Sequence, residues 1–187
     1  MKKSFFLLVL TIFISSSAFA QISSKNLTPP SKGKSVIYFL RTTSLGAIMN
    51  VRYFDDKKYL GRFNGKNYIR YETRPGEKTF WIKAENVDVL KVNLKAGKIY
   101  LVETNMVMGL VTGGTKFRLV NNSKKSQVKR INKLLNKKEP LKFSKATLDK
   151  QFNKMQKTYK NSLKKVQKKI KKGKVTTLSS SSYYKKK

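Results

Sequence analysis

The sequence predicts a mainly β protein: an antiparallel β-sandwich of about seven strands in residues 34–120, followed by a basic helical extension in residues 121–172. In the first segment, apolar residues alternate with polar ones or form short β-branched and aromatic runs, as strands do. Turn residues interrupt these runs about every eight to twelve positions, which is typical of sandwiches and small barrels. In the second segment, apolar residues recur every three or four positions, which predicts helices.

The first twenty residues predict a cleaved secretory signal peptide. Lys2 and Lys3 give a cationic start, residues 5–14 are an apolar run, and Ala18 and Ala20 give a small-x-small end. The run is too short to cross a bilayer, which takes about 20 apolar residues, so an uncleaved anchor is disfavoured. We therefore expect cleavage after Ala20 and export to the periplasm, the cell envelope or the medium.

Residues 21–33 are predicted to be a flexible lead-in, because Pro29, Pro30 and Gly33 interrupt a polar stretch. Residues 36–40 follow as a continuous apolar run of β-favouring residues, which indicates a strand covered on both faces. The sequence thus predicts that the ordered domain begins close to residue 34.

The other strands are predicted from alternation or from β-favouring runs. They lie near residues 49–53, 59–63, 68–72, 79–84, 90–94, 99–102 and 116–120. Asn64-Gly65 is a strong signal for a two-residue hairpin, and Pro75-Gly76 fits a type II turn. Such tight turns favour antiparallel neighbours.

Four motifs of this segment resemble a known family. They are V-x-Y-x-x-R at 36–41, Leu60-Gly61 before Asn67-Tyr68, the run Pro75-Gly76-Glu77-Lys78-Thr79, and Leu94-x-Ala96-Gly97-Lys98-Ile99-Tyr100. Together they make residues 34–103 similar to the domain of unknown function family DUF2846. The resemblance implies a small β-sandwich domain of an exported bacterial protein, and it implies no catalytic residues. Many family members are lipoproteins, whereas this chain has Gln21 after the cut and no cysteine.

Two helices are predicted after residue 121. Val128, Ile131, Leu134 and Leu135 lie on one face of a short helix that ends before Pro140. A single long helix of about 28 residues, roughly 42 Å, follows an N-cap at Ser144. Its apolar stripe consists of Leu148, Phe152, Met155, Tyr159, Leu163, Val166 and Ile170. Gly173 fits the left-handed exit from this helix, and residues 173–187 are expected to be disordered.

The positive charge is concentrated near the C-terminus. The chain has a net charge of +34, and residues 121–187 hold 23 Lys and Arg residues against only Glu139 and Asp149. This excess favours anionic partners such as phospholipid, lipopolysaccharide, acidic polysaccharide or nucleic acid. Arg130 is the only arginine of that segment, and reading of base edges favours arginine, so sequence-specific nucleic-acid binding is not expected. General lysine enrichment would explain many of these residues, though less easily the scarcity of acids.

The sequence offers little material for catalysis. Histidine and cysteine are absent, which removes the commonest general base, the thiol nucleophile and most transition-metal ligands. Asp55 and Asp56 precede two lysines and are predicted to be solvated turn residues. Residues 109–116 are glycine-rich, but Thr115 precedes Lys116, the reverse of the order in a phosphate-binding loop. We therefore predict no enzyme, no cofactor and no metal site.

Lysines of the long helix are the predicted binding residues for an anionic surface. They are Lys154, Lys157, Lys160, Lys164, Lys165, Lys168, Lys169, Lys171 and Lys172. Three arrangements of the helix remain open: its stripe docks on the sandwich, it pairs with a second copy, or it lies in a membrane interface. The oligomeric state is open as well.

Trp81 is the second candidate site. It alternates out of phase with Phe80 and Ile82, so it either contacts a protein or glycan partner or lies under a second covered face. The expected function is that of an exported, non-enzymatic envelope protein held on anionic surfaces by its cationic helix. The alternatives are a structural or assembly module that binds a protein or glycan through Trp81 or a strand edge, and nonspecific binding of extracellular nucleic acid.

The signal peptide gives the first testable prediction. The protein recovered from its native host should begin at Gln21, because the small-x-small site ends at Ala20. Intact-mass spectrometry or N-terminal sequencing checks this, and a protein that retains residues 1–20 would contradict it.

Overall fold

Nine strands and three helices lie in residues 21–107 and 114–185, which are the residues described by this computed structural model. The predicted signal peptide and most of the glycine-rich stretch at 109–116 lie outside the described residues. The strands are β1 (Ser35–Arg41), β2 (Val51–Asp55), β3 (Lys58–Phe63), β4 (Asn67–Thr73), β5 (Gly76–Lys83), β6 (Val87–Leu94), β7 (Ile99–Val107), β8 (Gly114–Leu119) and β9 (Thr176–Leu178). The helices are α1 (Lys125–Lys137), α2 (Lys145–Asn153) and α3 (Gln156–Lys171).

The chain is mainly β, as predicted, but its strands form two mixed sheets. The first sheet has the order β4-β1-β7-β8 and the second has the order β3-β2-β5-β6-β9. β1 runs parallel to β7, and β6 runs parallel to β9. The prediction of a purely antiparallel arrangement of about seven strands is therefore wrong. The hairpin predicted at Asn64-Gly65 is wrong as well, because β3 and β4 lie in different sheets and this turn crosses from one sheet to the other. Tight turns instead join β2 to β3 and β5 to β6 as antiparallel neighbours. The parallel pairs join distant segments that turn signals cannot reveal.

One apolar core lies between the two sheets. It includes Phe39 of β1, Tyr53 of β2 and Phe80 of β5, all at most 1% exposed. The Tyr53 hydroxyl donates a hydrogen bond of 2.9 Å to Thr104 Oγ1, which links the second sheet to the first. Burial in this core raises the pKa of Tyr53 well above its usual value, so the hydroxyl stays protonated.

The outer face of the first sheet is covered by α1. The predicted stripe of Val128, Ile131, Leu134 and Leu135 is buried there, which confirms that helix. All seven residues of β1 are buried, so the prediction of a strand covered on both faces is confirmed.

The predicted flexible lead-in instead packs against this layer. Ile22 is 2% exposed and joins the cluster under α1. The Asn26 side-chain amide donates to the carbonyls of Leu135 and Lys138 at the end of α1, at 2.7 and 2.9 Å. These bonds satisfy carbonyl groups that a helix end leaves free. The lead-in therefore caps α1, and the prediction of flexibility is wrong.

The outer face of the second sheet is covered by α2 and α3. Ser144 caps α2 as predicted, since its hydroxyl accepts the Thr147 N–H at 3.1 Å. The prediction of a single long helix is wrong, because helical geometry stops at Met155 (φ −121°) before α3 begins. α2 contacts β3 whereas α3 contacts β6, with two strands between them in the sheet. The chain bends to cover both, and Met155 is buried at the bend.

The C-terminal residues 173–184 pack against both sheets rather than forming a disordered tail, and we call this segment the strap. Gly173 ends α3 with φ +63°, and the bonds Gly173 N–H to Ile170 O and Lys174 N–H to Lys169 O form a Schellman motif. β9 then adds to β6, with Leu178 only 3% exposed. The prediction of disorder is wrong here. It rested on the serine and lysine content of the segment, which also contains the short β-favouring run of β9.

The strap then reaches the first sheet. The Tyr100 hydroxyl donates to Ser180 O at 3.0 Å, and Tyr184 N–H donates to Ile99 O at 2.7 Å. Within the described residues, no helix is long and apolar enough to cross a membrane.

The strap predicts a stability effect that a disordered tail would not show. Leu178→Ala should lower the free energy of unfolding by at least about 2 kcal/mol, because it leaves a cavity beside β6. Thr177→Ala is the matched control, since Thr177 is exposed in the same strand and should change stability by less than about 0.5 kcal/mol. Urea unfolding of both variants checks this, and equal, negligible losses would show that the strap does not pack.

Candidate anion-binding surface

The packing of α3 determines which way the predicted lysines face. Its apolar side chains, with Ser162 and Val166 buried, face the second sheet. In a helix, residues spaced three or four positions apart share one face, and the residues at the other positions lie on the opposite face. All nine predicted lysines except Lys169 are exposed. Packing of the stripe therefore fixes the direction of the charges.

Lys169 is the exception, because it pairs with an acid of the sheet. Its Nζ lies 3.0 Å from Asp88 Oδ1, and the side chain of Asp88 is only 7% exposed. The other carboxylate oxygen of Asp88 accepts the Phe117 N–H of β8 at 2.9 Å. Asp88 thus joins β6, β8 and α3, which belong to three layers.

Four of the predicted lysines come together at the end of α3. Lys165, Lys168, Lys169 and Lys172 line a cleft of about 480 Å³ together with Lys174. The opposite wall is the β5–β6 turn, with Glu85, Asn86 and Val87. We call this the lysine cleft. The other five predicted lysines, Lys154, Lys157, Lys160, Lys164 and Lys171, are exposed but do not line it.

The lysine cleft is strongly cationic. Five lysines and one glutamate line it, and the nearby Asp88 is already engaged by Lys169. Burial lowers the pKa of Lys83 beside the cleft. Glu85 opposes this shift, whereas Lys165 and Arg52 add to it. Lys83 Nζ donates to the carbonyl of Glu85 at 3.0 Å, which holds a further ammonium group at the base of the turn.

Such a cleft has the chemistry of a multidentate anion site. Each ammonium group offers three donors on a flexible stem, so the cleft can adapt to phosphate, sulfate or carboxylate groups rather than to one rigid shape. In residues 21–107 and 114–185, no three His, Cys, Asp or Glu side chains come together as a metal site requires. Asp56 is exposed in the β2–β3 turn with φ +47°, as predicted. Asp55 is instead the last residue of β2, where its carboxylate accepts the Tyr71 hydroxyl at 2.9 Å, so the prediction of a solvated turn residue is wrong for Asp55.

Trp81 does not reach a partner. It is 1% exposed, stacked on Phe54 with ring centroids 3.7 Å apart, and covered by Tyr159 of α3. Its indole N–H donates to Asp56 O at 2.6 Å. The candidate partner contact at Trp81 is therefore wrong, because the alternative of a second covered face applies: α3 occupies that face.

Sequence reasoning missed two residues of the site. Lys174 was assigned to the tail, although the glycine before it places it at the end of the helix in a Schellman turn. Asn86 holds the facing turn in place: its amide bonds the backbone N–H and carbonyl of Thr115 at 2.6 and 2.9 Å. No sequence signal pairs a turn residue with a strand 29 positions away.

The Asp88 contacts predict a measurable contribution to stability. Asp88→Asn should lower the free energy of unfolding by about 1–2 kcal/mol, because Lys169 loses its charged partner while the Phe117 N–H keeps an acceptor. Glu77→Gln is the charge-matched control, since Glu77 is exposed in β5 and makes no ion pair within the described residues. Chemical denaturation of both variants checks this, and equal losses would mean that only net charge matters.

Neither a family model nor a curated protein matches the chain. The candidate site is defined by its residues, their geometry and their charge.

Proposed function

We propose that the chain is an exported, non-enzymatic cell-envelope protein whose β-sandwich scaffold presents a cationic surface to anionic envelope material. The observation that carries this proposal is the convergence of Lys165, Lys168, Lys169, Lys172 and Lys174 at the lysine cleft. The candidate ligands share one chemistry, closely spaced phosphate or carboxylate groups on phospholipid, lipopolysaccharide or acidic polysaccharide.

The size of the electrostatic attraction supports binding by several lysines together rather than by a single lysine. One lysine near an anionic membrane contributes about 1 kcal/mol, so four or five acting together reach several kcal/mol. This attraction is screened over about 8 Å at physiological salt, so only lysines close to the surface contribute fully. A cluster on one rigid wall brings several lysines within that range simultaneously.

Docking of α3 shapes the mode of binding. Its apolar stripe packs on the second sheet, so α3 has no free apolar face to lay in a membrane. The same contact opposes pairing of this helix with a second copy. Binding by α3 is therefore electrostatic, through exposed lysines alone.

Export and the lack of catalysis rest on the sequence. The signal-like start of residues 1–20 supports export, and the absence of histidine and cysteine supports a non-enzymatic function. Binding of a protein or glycan through Trp81 has no support, since that side chain is covered. Nonspecific binding of nucleic acid would use the same lysines and is an outcome of the test below.

Binding to vesicles tests the proposal. Residues 21–187 should sediment with vesicles of phosphatidylglycerol and phosphatidylcholine, and with lipopolysaccharide, far better than with pure phosphatidylcholine. Duplex DNA serves as a comparison ligand, and stronger binding to DNA than to any envelope material would favour the nucleic-acid alternative. Equal binding to anionic and neutral vesicles would contradict the electrostatic proposal.

Charge-matched variants locate the surface. Replacing Lys165, Lys168, Lys172 and Lys174 by glutamine should weaken binding to anionic vesicles by about 100-fold or more, since each lysine contributes up to about 1 kcal/mol. Lys169 is kept because it pairs with Asp88. The control variant replaces four exposed lysines of α1, on the other side of the molecule, by glutamine: Lys125, Lys129, Lys133 and Lys137. Equal losses in the two variants would show that binding follows net charge rather than the lysine cleft.

A further inference from the structure

The loop between β1 and β2, residues 42–50, presents apolar side chains to solvent. Ile48 is 91% exposed and Leu45 is 51% exposed, and the next most exposed large apolar side chain among the described residues is Leu119, at 37%. Isolated exposed apolar residues are common, but two within four positions on one loop form a local apolar tip. We call this segment the apolar loop.

The apolar loop is held in this conformation by a buried arginine. Arg41 is fully buried, and its guanidinium donates to the carbonyls of Met49 at 2.7 Å, of Leu45 at 3.3 Å and of Gly46. A buried charge is costly unless its hydrogen bonds are made, so these carbonyls are strongly constrained. Gly46 supports the turn with φ +63° and accepts the Met49 N–H at 2.9 Å. The exposure of Ile48 and Leu45 is therefore a property of an ordered loop.

Basic residues surround the apolar loop. Leu45 lines a shallow groove of about 390 Å³ with Met106, Lys116 and Arg118. On its other side, Gly65 N–H donates to Ala47 O at 2.9 Å, which brings the β3–β4 turn with its exposed lysine at position 66 next to the loop.

The apolar loop and the lysine cleft lie at the same end of the molecule. Met106 contacts Gly46 so closely that a Cβ there would lie 2.9 Å from it. Met106 is the cross-strand partner of Thr115, and Thr115 is hydrogen-bonded at both backbone groups to Asn86. Asn86 lines the lysine cleft. Three direct contacts thus connect the apolar loop to the cleft.

We infer that this end of the protein docks on an anionic lipid bilayer, with Leu45 and Ile48 inserted among the acyl chains and the lysine cleft on the headgroups. This inference rests on the proposed function and narrows its ligand to lipid. Apolar side chains ringed by basic ones match a bilayer interface, where a hydrocarbon layer lies beneath anionic groups. A stable protein interface needs about 800 Å² on each partner with an apolar or aromatic centre, which two side chains among charges do not supply.

A fluorescent label tests insertion directly. The chain has no cysteine, so Ile48→Cys can be labelled alone with an environment-sensitive dye. Ala96→Cys is the matched control: Ala96 is exposed in the β6–β7 turn, where Gly97 bonds to Lys34 before β1. It therefore lies at the other end of β1, roughly 23 Å from the apolar loop. Phosphatidylglycerol-containing vesicles should shift the emission of the dye to the blue at position 48 and leave it unchanged at position 96.

Two further variants separate lipid from other anionic ligands. Leu45→Ser with Ile48→Ser should weaken binding to the anionic vesicles by about tenfold or more, because transfer of each side chain into hydrocarbon is lost. The same variant should bind a soluble acidic polysaccharide as tightly as the parent chain. Since Ile48 is almost fully exposed and Leu45 is half exposed at the edge of an open groove, the midpoint of its thermal unfolding should lie within a few degrees of the parent's.

The outcomes distinguish this inference from the proposed function. Lysine-dependent binding to vesicles without a blue shift at position 48, or an equal shift at position 96, would overturn insertion and leave the electrostatic function standing. Binding to the polysaccharide but not to vesicles would overturn the choice of lipid. Failure to bind any anionic material would overturn both.

Discussion

The contact on which the rest of this structure depends is the stack of Trp81 on Phe54, covered by the apolar stripe of α3. Both rings project from the second sheet on the side away from the shared core, so without a helix they would meet water. Burial of a large apolar side chain contributes about 1.5–3 kcal/mol, and several do so here. Neighbouring lysines on a helix repel by only a few tenths of a kcal/mol per pair. Apolar docking therefore outweighs the repulsion within α3.

Docking also decides what the helix can do. Once the stripe is packed on the second sheet, the apolar face of α3 is covered, and the backbone positions of its lysines are fixed while their side chains remain flexible. Asp88 reinforces this packing, because it binds Lys169 of α3 and the backbone of β8 simultaneously. Under the proposed function, an apolar contribution to membrane binding would come from the loop held by Arg41, which lies at the same end of the molecule as the lysine cleft.

Local patterns predicted most elements, and nonlocal contacts account for the errors. The alternation around Trp81 showed that a second face carries an apolar side chain, but not that α3 covers it. The bend at Met155 has no proline or glycine to mark it, and the stripe continues through it at helical spacing. The pairing of β1 with β7 joins segments about 60 residues apart, beyond any turn signal. The end of the cationic helix was predicted correctly at Gly173, whereas the gathering of its lysines around Asn86 depends on tertiary contacts.

The central claim is that α3 stays docked while its lysines bind an anionic surface. Trp81 is the only tryptophan of the chain and lies under α3, so its fluorescence reports that contact directly. On addition of phosphatidylglycerol-containing vesicles, the emission maximum of Trp81 and its protection from a water-soluble quencher should remain unchanged. A red shift with increased quenching on binding would mean that α3 leaves the sheet to enter the membrane, and it would contradict this account.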